Sequence, residues 1–408
     1  MAEGFFDGHF GNDTLTTDKQ LEELNLFFRD RYMINTIFNA VFMVFGVLGN
    51  SLVLYVYRAK LRRKKRDERY YIVVLATTDL WHCLFSSSLV FAKNRNPLNF
   101  PNDVLCKILL YGTNVFSSLS LLFLLVVCVH RYRKICQPLM PDITLRMKNC
   151  GIFLAVLSAV VFNFPKLIFF KRKQINILEV NAFVCGSDMK MKGAMFFVAG
   201  MSKFWIAFSI ATVLVLIVLY SLIGRVVYKQ MKQNVNKRKE SERICIQFGR
   251  LSISDDISST SPRISEHHSK ALYKIADNRV KVYEKKKPDP KTGTTRSMSM
   301  ISTLRNQVQT RRLTVMFILI TVVSILSYLP TYIFVHFDSK DPTRWFSVSN
   351  VELQLFLFLR SLHTVGYVGN PWIYAFFDSA FKQELAKLLC RGMLLESSSE
   401  HSSSRHGS

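Results

Sequence analysis

Apolar residues in this chain gather into seven long runs divided by polar, mostly basic segments: 33–57, 70–92, 104–132, 150–170, 195–227, 313–337 and 351–376. A lipid hydrocarbon core about 30 Å thick is crossed by about 20 residues of helix. Open strands would leave backbone groups unpaired there, so runs of this length are expected to be helices. The pattern predicts an all-α membrane protein, a bundle of seven transmembrane helices. After the last run, FFDSAFKQELAKLLC places Phe377, Phe381, Leu385 and Leu388 on one face, with Lys382, Glu384 and Lys387 away from it. Such spacing predicts a short amphipathic helix over 377–392, lying in the membrane interface.

Basic residues in the short connections orient the bundle, because cytoplasmic loops carry an excess of Lys and Arg. AKLRRKKRDER (59–69), RYRK (131–134) and LRMK (145–148) fall on one side, opposite the tail 1–32. The tail is therefore expected outside the cell, on a multi-pass protein of the plasma membrane, with glycosylation at Asn12 of the Asn12-Asp13-Thr14 sequon. No basic start followed by an apolar core precedes residue 33, so the first span is expected to serve as the signal anchor. Spans one to five with their loops occupy 33–228, and spans six and seven occupy 311–376. Between them, 229–310 is rich in Lys, Arg and Ser, with too few apolar residues to offset the entropy of ordering. It is expected to be a mostly disordered intracellular loop, and the Ser-rich 393–408 a disordered cytoplasmic tail. Serines in both offer kinases a place to add negative charge to a basic surface.

Charge changes the picture little. The chain carries 54 Lys+Arg against 29 Asp+Glu, a net +25, beside 49% hydrophobic residues. A nucleic-acid binder would seldom hold so many long apolar runs, so the excess is assigned to the positive-inside bias and one long basic loop, with no nucleic-acid partner. The eight cysteines form no metal pattern. Cys83, Cys128 and Cys150 lie in or at spans, and Cys136, Cys245 and Cys390 face the reducing cytosol, where Cys390 is a candidate for palmitoylation. Only Cys106 and Cys185 are placed on the oxidising side, and they are predicted to join the outer end of the third helix to the fourth-to-fifth loop. Nothing points to an enzyme: there is no phosphate-cradling glycine loop, no histidine pair at metal spacing and no nucleophile motif.

GN at 49–50, LATTD at 75–79, Cys106, HRY at 130–132, YLP at 328–330 and NPWIY at 370–374 stand in order in the expected helices. By these pieces the chain resembles a rhodopsin-like (class A) G-protein-coupled receptor over nearly all of its membrane region. Cys106 and Arg131 are 25 residues apart, roughly 37 Å of helix, enough to cross the core with tilt. The resemblance implies an extracellular ligand and a heterotrimeric G protein as partners, with receptor kinases and arrestin meeting the Ser-rich segments. It implies that Arg131, between His130 and Tyr132, is presented to the G protein on activation, and that Tyr220 and Tyr374 then meet it through water. Pro330 and Pro371 remove backbone bonds and permit the kinks that let helix six swing outward. Asn50, Asp79, Ser120 and Asn370 are implied to meet at mid-membrane, where a sodium ion near Asp79 favours the resting state. An intramembrane carboxylate must in any case find donors, water or a cation inside the bundle. No other cofactor is expected.

Several positions depart from the family pattern. His130 replaces the usual acid beside Arg131, and Thr310 cannot supply the acidic partner that some receptors place at the start of helix six. An arginine lacking both salt bridges should be held less firmly, which predicts raised basal activity, or pH sensitivity if His130 titrates near neutrality. Tyr328 stands in place of the usual tryptophan, Thr212 of proline, Ser324 of phenylalanine and Gly366 of a polar residue.

The ligand pocket is expected between the outer halves of helices three, five, six and seven. Thr113 stands where amine receptors carry an aspartate and Thr364 where opsins carry a lysine, which weakens both of those readings. Cations remain in Arg360, in Lys203 and in Lys166 before KRK (171–173). Arg360, inside a span, is a candidate grip for a ligand carboxylate, with an internal pair to Glu352 or Asp338 as the plain alternative. Phe116, Tyr328, Tyr332, Tyr367 and His363 are candidate lining residues, although aromatics at such spacing also simply pack helices. A peptide, such as a neuropeptide, is the preferred ligand and a small anion the alternative. A seven-helix channel or transporter is a further reading, against which the lack of an internal repeat speaks.

Overall fold

A computed structural model describes residues 17–61, 69–141, 143–177, 180–187, 194–257, 310–331, 333–334, 345, 348–379 and 381–388. In chain order the elements are α1 (Thr17–Arg31), α2 (Met33–Leu61), α3 (Tyr70–Arg95), α4 (Asp103–Cys136), α5 (Leu145–Asn163), α6 (Pro165–Phe169), β1 (Phe170–Ile177), β2 (Val180–Ser187) and α7 (Ala194–Ile257). Then follow α8 (Thr310–Thr331), α9 (Asn350–Ser361), α10 (His363–Val368) and α11 (Asn370–Phe377), and a helical stretch over 381–388. Two compact units divide the chain, Met1–Ser221 with Thr314–Ser408, and Leu222–Leu313. The described part of the second consists of the continuation of α7 to Ile257 and residues 310–313.

Six helices are long and apolar enough to cross a membrane among the described residues. The seventh run is helical in three pieces, α9 to α11, and Pro371 explains one of the breaks. Proline has no N–H to offer the carbonyl four residues back, which here belongs to Tyr367. Asn50 Nδ2 donates to that Tyr367 carbonyl at 3.2 Å, so a side chain of α2 satisfies the backbone group freed by the proline. Close approach makes this possible: a Cβ at Gly49 would lie 2.9 Å from Pro371 Cγ, so only glycine lets α2 come so near.

Helix ends follow local capping chemistry rather than the edge of the apolar run. Thr144 accepts from the Met147 N–H at 3.4 Å, which starts α5 at Leu145, ahead of the 150 expected from hydrophobicity. Asn102 accepts from Leu105 N–H at 2.8 Å and opens α4. Ser349 and Glu352 form a capping box at α9. The fifth helix runs on to Ile257, past the boundary at 228 where disorder was expected, while 258–309 and 393–408 lie outside the described residues.

The tail 1–32 contains more structure than its acidic composition suggests. In α1, Leu24 and Phe28, and after it Tyr32, are buried against Leu98, Ile175, Ile177, Ala182 and Leu353. Their spacing of four is a helix period that puts one apolar stripe against the β1–β2 hairpin and the start of α9. Arg31 holds this docking with Nε on Asn350 Oδ1 and Nη2 on the Val348 carbonyl, each 2.6 Å. The hairpin pairs antiparallel from Phe170↔Ser187 to Ile177↔Val180. Phe183 extends it by exchanging backbone bonds with Leu98 and Phe100 at 2.7 and 2.8 Å. Cys106 of α4 and Cys185 of β2 are bonded, with Cα atoms 5.6 Å apart, as expected from their placement.

At the opposite end, Asp378 is 2% exposed and collects three donors. Tyr57 donates to Oδ2 at 2.5 Å, and Arg69 donates through Nε to Oδ2 at 2.8 Å and through Nη2 to Oδ1 at 3.2 Å. Phe381 is buried and stacks on Tyr57 with ring centroids 5.7 Å apart. Leu385 and Leu388 are half-buried and Lys382 and Lys387 exposed, but Glu384, expected on the polar face, is half-buried and accepts from Lys387 at 3.3 Å.

Candidate functional site: the polar core of a membrane bundle

The centre of the bundle is built on Asp79, which is fully buried in α3. Asn370 Nδ2 donates to its Oδ2 at 2.7 Å, and Asn50 donates to the carbonyls of Gly46 and Tyr367 at 2.9 and 3.2 Å. Three amide and carboxylate oxygens, Asp79 Oδ1, Asn50 Oδ1 and Asn370 Oδ1, are buried with no hydrogen-bond donor, and the Tyr374 hydroxyl is also unmatched. Buried oxygens left unmet are costly, so this set fits water or a cation. One carboxylate among neutral oxygens suits a monovalent ion, and no group of three or more His, Cys, Asp or Glu that could hold a metal occurs among the described residues. Ser120, on α4, is buried at 7% exposure. Gly366 offers none, but the Ser324 hydroxyl lies 3.7 Å from the place a Cβ there would take, so two departures from the family pattern are neighbours in space.

Arg131 in α4 is wholly buried, its guanidinium 4.9 Å from the ring centre of Phe317 in α8. His130 is also buried, its ring 5.1 Å from that of Tyr71, so it packs on an aromatic face of α3. Tyr132 is half-buried. The Tyr220 hydroxyl lies 3.2 Å from Thr321 Oγ1, which itself donates to the Phe317 carbonyl at 2.9 Å, so α7 is tied to α8 close to Arg131.

Among the expected lining residues, two groups separate. Phe116 stacks against Trp81 and Phe85, with centroids 6.1 and 5.5 Å away. Tyr328 accepts from Ser117 at 3.4 Å and packs on His363 at 5.9 Å. His363 also neighbours Tyr367 at 5.8 Å and His82 at 6.0 Å, a buried histidine that the sequence reading missed. Thr113 turns its hydroxyl onto the Leu109 carbonyl at 2.7 Å, a helix-internal bond. Lys203 is exposed, and the Arg360 guanidinium lies over the Trp345 ring at 5.4 Å. Pro330 lies near the end of α8. Asn12, Tyr332 and Cys390 fall outside the described residues.

Helices long and apolar enough to cross a membrane thus surround a buried carboxylate–amide pair, with an arginine covered by α8. The sequence pattern of the 7 transmembrane receptor (rhodopsin family) matches residues 49–374, and the chain belongs to that family. It is similar to purinoceptor 4 of Xenopus laevis, 33% identical over 139 residues, which is 32% of this chain and 25% of that protein. Two octopus proteins are also similar. Cephalotocin receptor 2 of Octopus vulgaris is 27% identical over 42% of this chain and 42% of its own length, and cephalotocin receptor 1 is 27% identical over 34% and 35%. The chain thus spans between a quarter and about two fifths of the length of these relatives.

Proposed function

We propose that this protein is a plasma-membrane receptor, its amino end outside, that binds an extracellular peptide and activates a heterotrimeric G protein by outward movement of the inner end of α8. The observation that carries the reading is the complete burial of Arg131 beside Phe317. A guanidinium so covered reaches a G protein only when α8 is displaced, so exposing it is a two-state event of the kind a ligand can bias. Cephalotocin receptors among the relatives support a peptide, while the purinoceptor and the half-buried Lys166, bonded to Asn114, support an anionic group on whatever binds. Ser-rich cytoplasmic segments suit receptor kinases and arrestin as further partners.

Nucleotide exchange on a G-protein heterotrimer, measured with the purified chain in lipid nanodiscs, tests this. Exchange is expected to exceed that of empty nanodiscs even without ligand, because His130 and not an acid precedes Arg131. His130→Asp is expected to lower this basal rate several-fold. Basal exchange equal in His130→Asp and wild type would remove the explanation of basal activity, and no exchange under any ligand of a peptide library would remove the G protein as partner.

Asp79, Asn50, Asn370 and Ser120 are the residues that would hold a sodium ion, which supplies a positive charge against the Asp79 carboxylate and favours the covered arrangement of Arg131. Sodium is expected to raise the melting temperature of the wild-type receptor above that in choline, and Asp79→Asn to abolish the difference. An equal sodium effect in both proteins would assign it elsewhere.

A further inference from the structure

Lys166, in α6 at the outer end of the fourth span, carries a positive charge into the protein with no acid to meet it among the described residues. Its ammonium donates to Asn114 Oδ1 of α4 at 2.5 Å and to Asn163 Oδ1 of α5 at 3.0 Å. Both amides are fixed in that orientation, since Asn114 Nδ2 donates to the Leu110 carbonyl at 2.7 Å and Asn163 Nδ2 to the Ala159 carbonyl and Ser118 hydroxyl at 2.8 and 3.1 Å. Two neutral oxygens satisfy two of the three ammonium protons and leave the charge uncompensated. The third side of the site is Trp205 of α7, whose ring centre lies 5.6 Å from Lys166 Nζ. Its indole Nε1 is buried with no acceptor. Lys166 and Trp205, in contact across the face of the ring, thus each keep a donor that no oxygen meets.

Desolvated donors of this kind are costly unless an acceptor completes them, and a charged acceptor also neutralises the lysine. Depth limits what can reach it. Asn114 is eight residues inside Cys106 on α4, about 12 Å of helix. Phe162, Phe204 and Phe208 surround the indole, with ring centroids 5.4 to 6.4 Å apart among themselves, so a group entering here meets aromatic carbon beside the charge. We infer that Lys166, Trp205, Asn114 and Asn163 form an anion-binding site for a carboxylate or phosphate attached to an apolar body, carried by the receptor's ligand. This deepens the receptor reading and rests on it for the identity of the carrier. A ligand carboxylate and the headgroup of an acidic lipid share the same chemistry, and the test separates them.

The test uses the whole receptor, purified into phosphatidylcholine nanodiscs, with thermal unfolding as a readout that needs no G protein. N-acetyl-L-phenylalanine, N-acetyl-L-leucine and 4-phenylbutyrate are each titrated beside their primary amides. The acids are expected to stabilise wild type and the amides not, with apparent affinity about tenfold weaker in Lys166→Gln and Trp205→Phe and retained in Lys166→Arg. Because the shift is measured within each protein, a lower starting stability of a variant does not obscure it. Stabilisation by phosphatidylglycerol in place of the acids, lost in Lys166→Gln, supports the anion site with the lipid as its source. No acid effect and no lipid effect, or effects equal in Lys166→Gln, overturn the proposal while leaving G-protein exchange untouched.

Discussion

A Cys185→Ser receptor is expected to lose nearly all ligand binding at the cell surface. The bond to Cys106 closes a loop of 79 residues, and chain entropy alone assigns such a crosslink about 4.5 kcal/mol. That is a large part of what holds most folded domains together. The consequence is also local. Cys185 sits in β2, whose partner strand carries Ile175 and Ile177 into the cluster that seats Leu24 and Phe28 of α1. Freeing β2 from α4 therefore loosens the hairpin and the tail helix together. Cys106→Ser should match Cys185→Ser, and the double variant should be no worse than either, since both remove one bond. Surface labelling and ligand binding at wild-type level in Cys185→Ser would show that the hairpin is held without the bridge.

Asp378→Ala should be nearly as damaging, at about 3–5 kcal/mol, because it takes the carboxylate away from a buried guanidinium. Arg69 and Asp378 are 8% and 2% exposed, so little water is present to take over from the carboxylate. Three bonds to Asp378 join the ends of α2 and α3 to the turn that follows α11. Tyr57→Phe removes one bond and leaves the ion pair, so about 1 kcal/mol is expected. Unfolding in a mild detergent, followed by the fluorescence of a thiol dye on the buried cysteines Cys83 and Cys128, reports both. An Asp378→Ala receptor as stable as Tyr57→Phe would mean that the carboxylate contributes no more than a single neutral bond.

Much of the architecture was legible because lipid leaves so few options. Runs of apolar residues marked the spans, and the polar residues that interrupt them, Asp79, Asn50 and Asn370, marked the centre that the structure brings together. Helix ends were less legible, since Thr144 and not the end of the apolar run starts α5. The tail helix was missed because acidic residues hid the stripe of Leu24 and Phe28. Rotation of each helix about its axis was the hardest quantity. Lys166 and Lys203 are equivalent as cations in a sequence, yet one turns inward onto two amides and the other is exposed. His82 shares its run with Thr77, Thr78, Asp79 and three serines, and only the packing of α3 against α10 shows that it meets His363.

Most depends on the seventh run, which is broken into α9, α10 and α11 while six other helices are long enough to cross. Antibody access to an epitope at each end of the chain, on intact and then permeabilised cells, measures whether the number of crossings is odd. With seven crossings the amino-terminal epitope is stained on intact cells and the carboxy-terminal one only after permeabilisation. Staining of both ends under the same condition would mean an even number of crossings, and Arg131 and the outer hairpin could then not hold the positions a receptor requires.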